Sequence, residues 1–367
     1  MKSAYSSICI VCTTPYQLIG AISIVQGFHI VADLFLFGMF PDYDVIADRL
    51  GKYSVFNKII AVECDKFRSL SKIKALWQTL NSKSVVSSFL PYEVSYEVMY
   101  SSSRAHVKLL MRKELERRNP NIKFVLFEDG LGSYSAQSHV LNSSRLRRVV
   151  EAICNWDSFA PQRTKMIATH PELVELPQKL GGAIVEDMPL FNWTTANCDM
   201  LLDVFSVHKD ELIDERVIAF DVTRGIYQND LDVDVCLLDE CYKLLIEKFS
   251  YHEVICKPHP RSRQKSKANL KEYKKTGAPV EILYAGMQDL ENRVLVGAFS
   301  TALFTPKMMF GKEPIIICLF RMIWPQNTEI PPLFDKLSRM YQHKDRVMAP
   351  CDMTELRNCL SMIKKMS

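Results

Sequence analysis

Short apolar runs alternate with amphipathic, helix-length segments along most of this chain, in two separate series. The first series begins with the apolar run Ile8–Cys12, which is followed by apolar residues at helical spacing in Tyr16–Gln26. The second begins at Arg216–Phe220 and closes with the amphipathic segment Asp352–Lys365. Strands that alternate with helices are typical of parallel, doubly wound sheets. The sequence therefore predicts an α/β fold of two Rossmann-like domains with a cleft between them.

The same alternation predicts individual elements and a domain boundary. The predicted strands are Ile8–Cys12, Val31–Phe37, Ile59–Val62, Val98–Tyr100, Phe124–Phe127, Arg216–Phe220, Glu253–Lys257, Ile282–Tyr284, Val294–Ala298 and Pro314–Leu319. The predicted helices are Tyr16–Gln26, Arg104–Arg118, Asp199–Lys209, Cys236–Phe249, Thr301–Phe310 and Asp352–Lys365. After Arg148 the prolines Pro161, Pro171 and Pro177 predict irregular chain. We place an N-terminal domain at residues 1–190 and a C-terminal domain at residues 191–367.

Composition narrows the class of protein. The 367 residues suffice for two domains of ordinary size. Apolar runs long enough to span a membrane are absent from the sequence, and Ile8–Cys12 indicates a first strand and not a signal peptide. The net charge of +4 does not require a nucleic-acid partner. The eleven cysteines include no CxxC pair, which argues against structural zinc and favours reduced thiols in the cytoplasm.

Two carboxylates and a glycine follow the predicted strand Phe124–Phe127. In open α/β sheets, ligands bind just beyond the carboxyl ends of the strands. Gly130 allows the backbone to turn sharply after Glu128 and Asp129. A carboxylate placed here could take a proton from an acceptor hydroxyl. The alternative is a structural turn in which Asp129 only caps neighbouring N–H groups.

A histidine between two prolines follows another predicted strand, in the order Lys257, Pro258, His259, Pro260, Arg261. The prolines restrict the backbone on both sides of His259 and so fix the direction of its imidazole. Histidine titrates near neutrality, and a nearby phosphate favours its protonated form. Lys257 and Arg261 would add positive charge. The segment predicts a phosphate-binding acid, with a solvated loop histidine as the alternative.

Two hydroxyl-bearing segments stand where a helix follows a strand. Ser300 or Thr301 would cap the helix that starts there, and free N–H groups at a helix N-terminus bind phosphate. At the first such turn, a threonine would cap the helix, and Tyr16 and Gln17 would be placed to contact an acceptor sugar. Helix capping alone is the structural alternative for both segments.

Several familiar motifs are missing from the sequence. It contains no GxGxxG after a strand, no GxxxxGK[ST] and no GxSxG, which leaves dinucleotide, P-loop and nucleophile-elbow chemistry without support. The acidic run from Asp230 to Asp234 alternates like an exposed strand or loop and not like a metal-binding turn. We therefore expect no metal.

Taken in chain order, these segments resemble the bacterial sialyltransferases of glycosyltransferase family 52, with the bacterial polysialyltransferases as near neighbours. The segments that carry the resemblance are TPYQL at residues 14–18, FEDG at 127–130, MPLF at 188–191, KPHPR at 257–261 and FSTAL at 299–303. The resemblance implies a GT-B type fold and an inverting, metal-independent transfer of sialic acid from CMP-sialic acid to a hydroxyl of a surface glycan. The N-terminal domain would bind the acceptor and the C-terminal domain the CMP donor.

The resemblance also implies a role for each matching residue. His259 would be the general acid toward the departing nucleotide, and Asp129 the general base, with Asp230 as the reserve candidate. The implied donor-binding residues are Lys257, Pro258, Arg261, Ser300 and Thr301. The implied acceptor-binding residues are Tyr16, Gln17, Glu128 and Gly130. These roles fit the chemistry, because departure of the nucleotide builds negative charge that cations and an acid stabilise.

The sequence leaves three alternative functions, each with its own expected partners. The first is the sialyltransferase, with a glycan or glycolipid acceptor, no cofactor beyond the CMP-sialic acid substrate, and peripheral attachment at the inner face of the cytoplasmic membrane. The second keeps the fold and uses another nucleotide sugar. The third is a non-catalytic binder of sugars or nucleotides. The resemblance leaves a homodimer open, and the +4 charge gives no reason to expect a nucleic acid.

Overall fold

The chain folds into two compact units, Met1–Thr194 and Thr195–Ser367, each with its own parallel sheet. The computed structural model describes residues 5–67, 72–102, 106–134, 164–174, 184–221, 234–258, 268–274 and 278–365.

The first unit contains a sheet of seven described strands, in the order β3-β2-β1-β4-β5-β6-β7, and all of their pairings are parallel. The strands are β1 Ile8–Cys12, β2 Asp33–Phe37, β3 Lys58–Val62, β4 Val98–Ser101, β5 Lys123–Phe127, β6 Thr164–Ala168 and β7 Val185–Asp187. The helices are α1 Pro15–Gly27, α2 Tyr43–Leu50, α3 Lys72–Leu80, α4 Ser82–Ser87 and α5 His106–Arg118.

The second unit contains a sheet of six described strands, in the order β10-β9-β8-β11-β12-β13, again wholly parallel. The strands are β8 Val217–Phe220, β9 Val254–Lys257, β10 Lys271–Glu272, β11 Val294–Gly297, β12 Ile315–Cys318 and β13 Val347–Met348. The helices are α6 Thr195–Val204, α7 Val235–Phe249, α8 Val280–Gly286, α9 Thr301–Phe310, α10 Phe320–Ile323, α11 Ile330–Ser338 and α12 Met353–Lys365.

Both sheets reverse their strand order at one point. In the first unit β1 lies between β2 and β4, and in the second β8 lies between β9 and β11. The chain therefore builds outward to one side and then to the other, and the loops at this switch point diverge and leave room for a ligand. Ligand-binding residues are therefore expected at the carboxyl ends of β1 with β4, and of β8 with β11.

The core explains why the central strands are almost wholly apolar. Every residue of β2, β8 and β11 is buried, because helices cover both faces of a parallel sheet. On one face of the first sheet, Phe35 and Phe37 pack edge-on against Phe89, and Phe35 also packs against Tyr96. These strands read as continuous hydrophobic runs in the sequence for this reason.

The structure confirms the predicted α/β class and the two Rossmann-like sheets, and it corrects three elements. Ile282–Tyr284, predicted as a strand, lies inside helix α8, where four consecutive residues are buried; a short apolar run does not distinguish a buried helix from a strand. The segment predicted as irregular after Arg148 contains β6 and β7. The helix predicted at Asp199–Lys209 starts earlier and ends at Val204.

Candidate functional site

The first candidate site begins where β1 passes into α1. Thr14 is the N-cap of α1, and its Oγ1 accepts a hydrogen bond from the backbone N–H of Gln17 at 3.2 Å. Pro15 follows at the start of the helix, where its missing N–H costs nothing. This capped turn fixes the position of Gln17, which is 1% exposed, beside the carboxyl end of β1.

The side-chain amide of Gln17 links three strand ends. Its Oε1 accepts from the backbone N–H of Thr13 at 2.8 Å, from the Thr13 hydroxyl at 3.0 Å and from Lys108 Nζ at 2.9 Å. Its Nε2 donates to Oδ1 of Asp129 at 2.9 Å. Lys108 Nζ also donates to the hydroxyl of Ser102, the residue after β4, at 3.0 Å. The amide thus joins the ends of β1, β4 and β5.

Asp129 and Glu128 are adjacent but have different surroundings. Both oxygens of Glu128 are occupied: Oε1 accepts from the Tyr16 hydroxyl at 2.7 Å, and Oε2 accepts from the Tyr134 hydroxyl and from Thr169. Glu128 is 1% exposed. Asp129 is only partly buried. Among the described residues, Gln17 donates a hydrogen bond to Oδ1 of the Asp129 carboxylate. The second oxygen of Asp129 is therefore the better placed of these atoms to accept a proton from a substrate.

The two tyrosines act as protonated donors to Glu128. Burial, together with the neighbouring Glu128 carboxylate, raises the pKa of the Tyr16 and Tyr134 hydroxyls well above the usual value. Thr169 follows β6 and adds its backbone N–H at 2.9 Å and its hydroxyl at 2.7 Å. This set fastens the end of β5 to α1 and to the end of β6.

Gly130 allows the loop to turn back beneath Asp129. Its φ of 72° lies in the left-handed region that favours glycine. The turn brings Ser133 close enough for its Oγ to accept from the backbone N–H of Asp129 at 2.7 Å. The Asp129 backbone is held by Ser133 and its side chain by Gln17, so the carboxylate has a defined direction.

Lys108 is a buried cation that the sequence analysis did not identify. It lies in the first turn of α5 and is 2% exposed. Burial lowers its pKa to about 8, and the nearby Asp129 carboxylate opposes that lowering. The available signal was positional: Lys108 shares a helix face with the buried residues Met111 and Leu115, where a cation is unusual.

The second candidate site lies at the carboxyl end of β9 in the second unit. Lys257 ends this strand, is 5% exposed, and places its ammonium 5.6 Å from the centre of the Tyr273 ring. Burial lowers the pKa of Lys257 to about 8, and the Glu281 carboxylate opposes this. Burial likewise raises the pKa of Glu281, which lies in the first turn of α8. The sequence does not single out Glu281, because the apolar run that follows it predicts a strand and not a helix.

The end of β11 leads into the capped helix α9. Ser300 is the N-cap of α9, and its Oγ accepts from the backbone N–H of Ala302 at 3.2 Å. Thr301 is the first helical residue, and both residues are partly exposed. Gly297, Phe220 and Lys257 lie at matching register in β11, β8 and β9, so the three strands end at one level. The N-terminus of α9 and Lys257 therefore lie at the same edge of this sheet.

The structure brings several predicted site residues together and leaves others outside its description. Tyr16, Gln17, Glu128, Asp129 and Gly130 form one cluster in the first unit. In the second unit, Lys257, Pro258, Ser300 and Thr301 lie at the carboxyl edge of the sheet. His259, Arg261 and Asp230 lie outside the described residues, and their roles stay predictions.

The described part of the chain shows neither a metal-binding cluster nor a membrane-spanning helix. Within the described ranges, no group of three or more His, Cys, Asp or Glu side chains is arranged to hold a metal ion. In the same part of the chain, no helix combines the length and apolar character that crossing a bilayer would need.

Comparisons with known proteins find one distant structural similarity. No family model matches the sequence, and no curated protein matches it. Among solved structures, one match is the complex between a UDP-glucosyltransferase from Polygonum tinctorium capable of glucosylating indoxyl and 3,4-dichloroaniline. It has 8% sequence identity and a TM-score of 0.45, and the match covers 98% of this chain and 93% of that one. So distant a similarity carries no argument about the activity of this protein.

Proposed function

We propose that this protein is a glycosyltransferase that moves a sugar from a nucleotide donor to a hydroxyl of a glycan, with Asp129 as the general base. The observation that carries the proposal is the contrast between two neighbouring carboxylates. Glu128 is buried with both oxygens bonded, whereas Asp129 is partly exposed and held through one oxygen by Gln17. A base needs this combination of fixed direction and access.

The proposed step is an inverting displacement. Asp129 takes the proton of the acceptor hydroxyl while the acceptor oxygen forms a bond to the anomeric carbon. The bond between that carbon and the donor phosphate oxygen breaks, and its electron pair stays with the departing nucleotide. The charge that develops on the phosphate calls for cations, N–H groups or an acid beside it.

The donor is proposed to bind at the carboxyl edge of the second sheet. Lys257 offers a buried cation there, and the N-terminus of α9, capped by Ser300, offers the positive end of a helix dipole. Thr301, Pro258 and Arg261 complete the proposed donor set, and His259 is the proposed acid. CMP-sialic acid is the proposed donor, because the five sequence segments resemble sialyltransferases in their order.

The acceptor is proposed to bind beside Asp129. Gln17 and Gly130 flank this carboxylate, and Tyr16 with Glu128 supports the loop from beneath. A surface glycan or glycolipid remains the proposed acceptor. Peripheral attachment at the cytoplasmic membrane and a homodimer also stay proposals.

Donor choice is tested by thermal-shift measurements with CMP, UDP and GDP, because a ligand that binds only the folded state raises Tm. CMP is expected to raise Tm most. Product formation is then measured with CMP-sialic acid and galactose-terminated acceptors. Stabilisation by UDP or GDP and none by CMP would replace CMP-sialic acid with another nucleotide sugar.

The general base is tested by Asp129→Asn. Loss of a general base should lower kcat by about 100-fold or more at unchanged stability. Asp187→Asn is the matched control, because it removes a carboxylate from an exposed position on β7 in the same unit. Full activity in a folded Asp129→Asn protein would reject Asp129 as the base and direct attention to Asp230.

A further inference from the structure

The position of Lys108 is costly for the protein. Lys108 is 2% exposed, and burial of a charge disfavours the charged form. Lys108 also lies in the first turn of α5, where the helix dipole repels a cation. Two unfavourable placements at one residue indicate that the ammonium has a task at this position.

The contacts of Lys108 show what that task is. One proton of the ammonium goes to Ser102 Oγ at 3.0 Å, which holds Nζ at the end of β4. Another goes to Gln17 Oε1 at 2.9 Å. The opposite end of the same amide, Nε2, donates to Asp129 Oδ1 at 2.9 Å. Lys108 is thus joined to the carboxylate through a single side chain.

The amide of Gln17 has one orientation that satisfies these partners. Its oxygen faces three donors, two from Thr13 and one from Lys108, and the charged donor is the strongest of them. If the amide were reversed, its NH2 group would face those donors and its oxygen would face the Asp129 carboxylate. Lys108 therefore helps to decide that a donor, and not an acceptor, points at Asp129.

We propose that Lys108 is a positioning residue that acts through Gln17 to hold the Asp129 carboxylate in its working direction. The proposal rests on Asp129 as the general base of the proposed function. The two strands that meet at the switch point of the first sheet supply its fixed points, Thr13 after β1 and Ser102 after β4. The carboxylate after β5 is thereby aligned by groups that follow β4, its neighbour in the sheet, and β1, the strand beyond β4.

Kinetics of Lys108→Met, Gln17→Met and the double variant test whether the two residues act as one unit. Each single variant should lower kcat about tenfold with KM within about twofold, since misplacement of a catalytic group costs rate more than binding. The double variant should also lose about tenfold, because both changes break the same chain. Full kcat in folded Lys108→Met, or a loss near hundredfold in the double variant, would overturn the proposal. Lys123→Met, at an exposed position on β5, is the control.

The pH profile separates positioning from packing. The described titratable groups that face Lys108 are Asp129 and Cys12, and burial raises the pKa of the Cys12 thiol to about 12. Because burial lowers the pKa of Lys108 to about 8, we expect kcat of the wild type to decline above that pH. Lys108→Met should show a low rate without this decline. An unchanged alkaline limb in Lys108→Met would contradict the role of the ammonium.

A measurement without substrate separates this inference from the proposed function. The side-chain amide signal of Gln17 in ¹⁵N spectra, assigned by its loss in Gln17→Met, should shift in Lys108→Met and stay in place in Lys123→Met. If wild type transfers no sugar from any donor but the amide signal shifts, the proposed function fails and the Lys108–Gln17 link stands. If the signal does not move, the positioning role is rejected whatever the activity.

Discussion

Replacing Lys108 by methionine should change the stability of this protein in a direction that depends on pH. Methionine is close to lysine in shape and carries no charge, so the substitution removes the buried ammonium and keeps most of its packing. The folded state lowers the pKa of Lys108 from its ordinary value of 10.5 to about 8. That shift corresponds to roughly 3 kcal/mol of destabilisation at neutral pH, at about 1.4 kcal/mol per pKa unit.

The loss of two hydrogen bonds offsets part of the stability that Lys108→Met gains by removing the buried charge. Lys108 donates to Gln17 and to Ser102, and a hydrogen bond contributes about 1 kcal/mol net. The balance leaves Lys108→Met about 1 kcal/mol more stable than the wild type at pH 7. A variant that is more stable and less active is the expected behaviour when a site group is kept at the expense of stability.

The stability difference between Lys108→Met and the wild type should change sign at alkaline pH. Because the pKa of Lys108 is lower in the folded state, the unfolded state binds more protons between pH 8 and 10.5, and wild-type stability rises with pH across that window. By pH 9.5 the wild type should have gained about 2 kcal/mol from this residue, which leaves Lys108→Met the less stable of the two by about 1 kcal/mol. Other groups titrate in both proteins alike and cancel in the difference.

Urea unfolding followed by far-ultraviolet circular dichroism at pH 7 and pH 9.5 measures these differences through the midpoint and slope of the transition. Lys123→Met removes the same charge from an exposed site and provides the control for net charge. A Lys108→Met protein that is less stable at pH 7, with a difference from wild type that does not change by pH 9.5, would refute the reasoning.

Three further substitutions test other parts of the two sites. Lys257→Met should raise the KM for the donor at least about tenfold while kcat changes less, because a phosphate loses a buried cation; direct titration with CMP checks this. Ser300→Ala should cost about 1 kcal/mol in urea unfolding through loss of the α9 cap, whereas Ser361→Ala, inside a helix, should cost less. Glu128→Gln should lower the free energy of unfolding by about 1–3 kcal/mol, because the NH2 group of the new amide must face hydroxyls that donate to Glu128 in the wild type. An unchanged midpoint of urea unfolding would show that Tyr16 and Thr169 find other partners.

The strand ends could be predicted from the sequence, but the side-chain network between them could not. Phe124–Phe127 is an apolar run closed by a glycine turn, so the position of Asp129 followed from local pattern. The helix face of Lys108 marks it as an unusual buried cation but does not identify its partners Gln17 and Ser102, which lie near other strand ends. Its significance depends on strand order, which a single sequence specifies poorly. Glu281 shows the related failure, where burial on all sides of a short helix removed the helical period.

The division of labour between Glu128 and Asp129 follows from the alternation of side chains beyond β5. Successive residues of an extended chain point to opposite faces, so two adjacent carboxylates cannot share one environment. Glu128 points to the side where Tyr16 and Tyr134 donate to it, and a carboxylate that is 1% exposed and bonded on both oxygens is poorly placed to reach a substrate hydroxyl. Asp129 points to the side of Gln17, where one of its oxygens is fixed. An acidic pair followed by glycine therefore supplies a structural anchor and a candidate base from neighbouring positions. Exchange of the two, by Glu128→Asp combined with Asp129→Glu, should disrupt both, since the shorter side chain would fall short of the tyrosines and the longer one would displace the amide of Gln17.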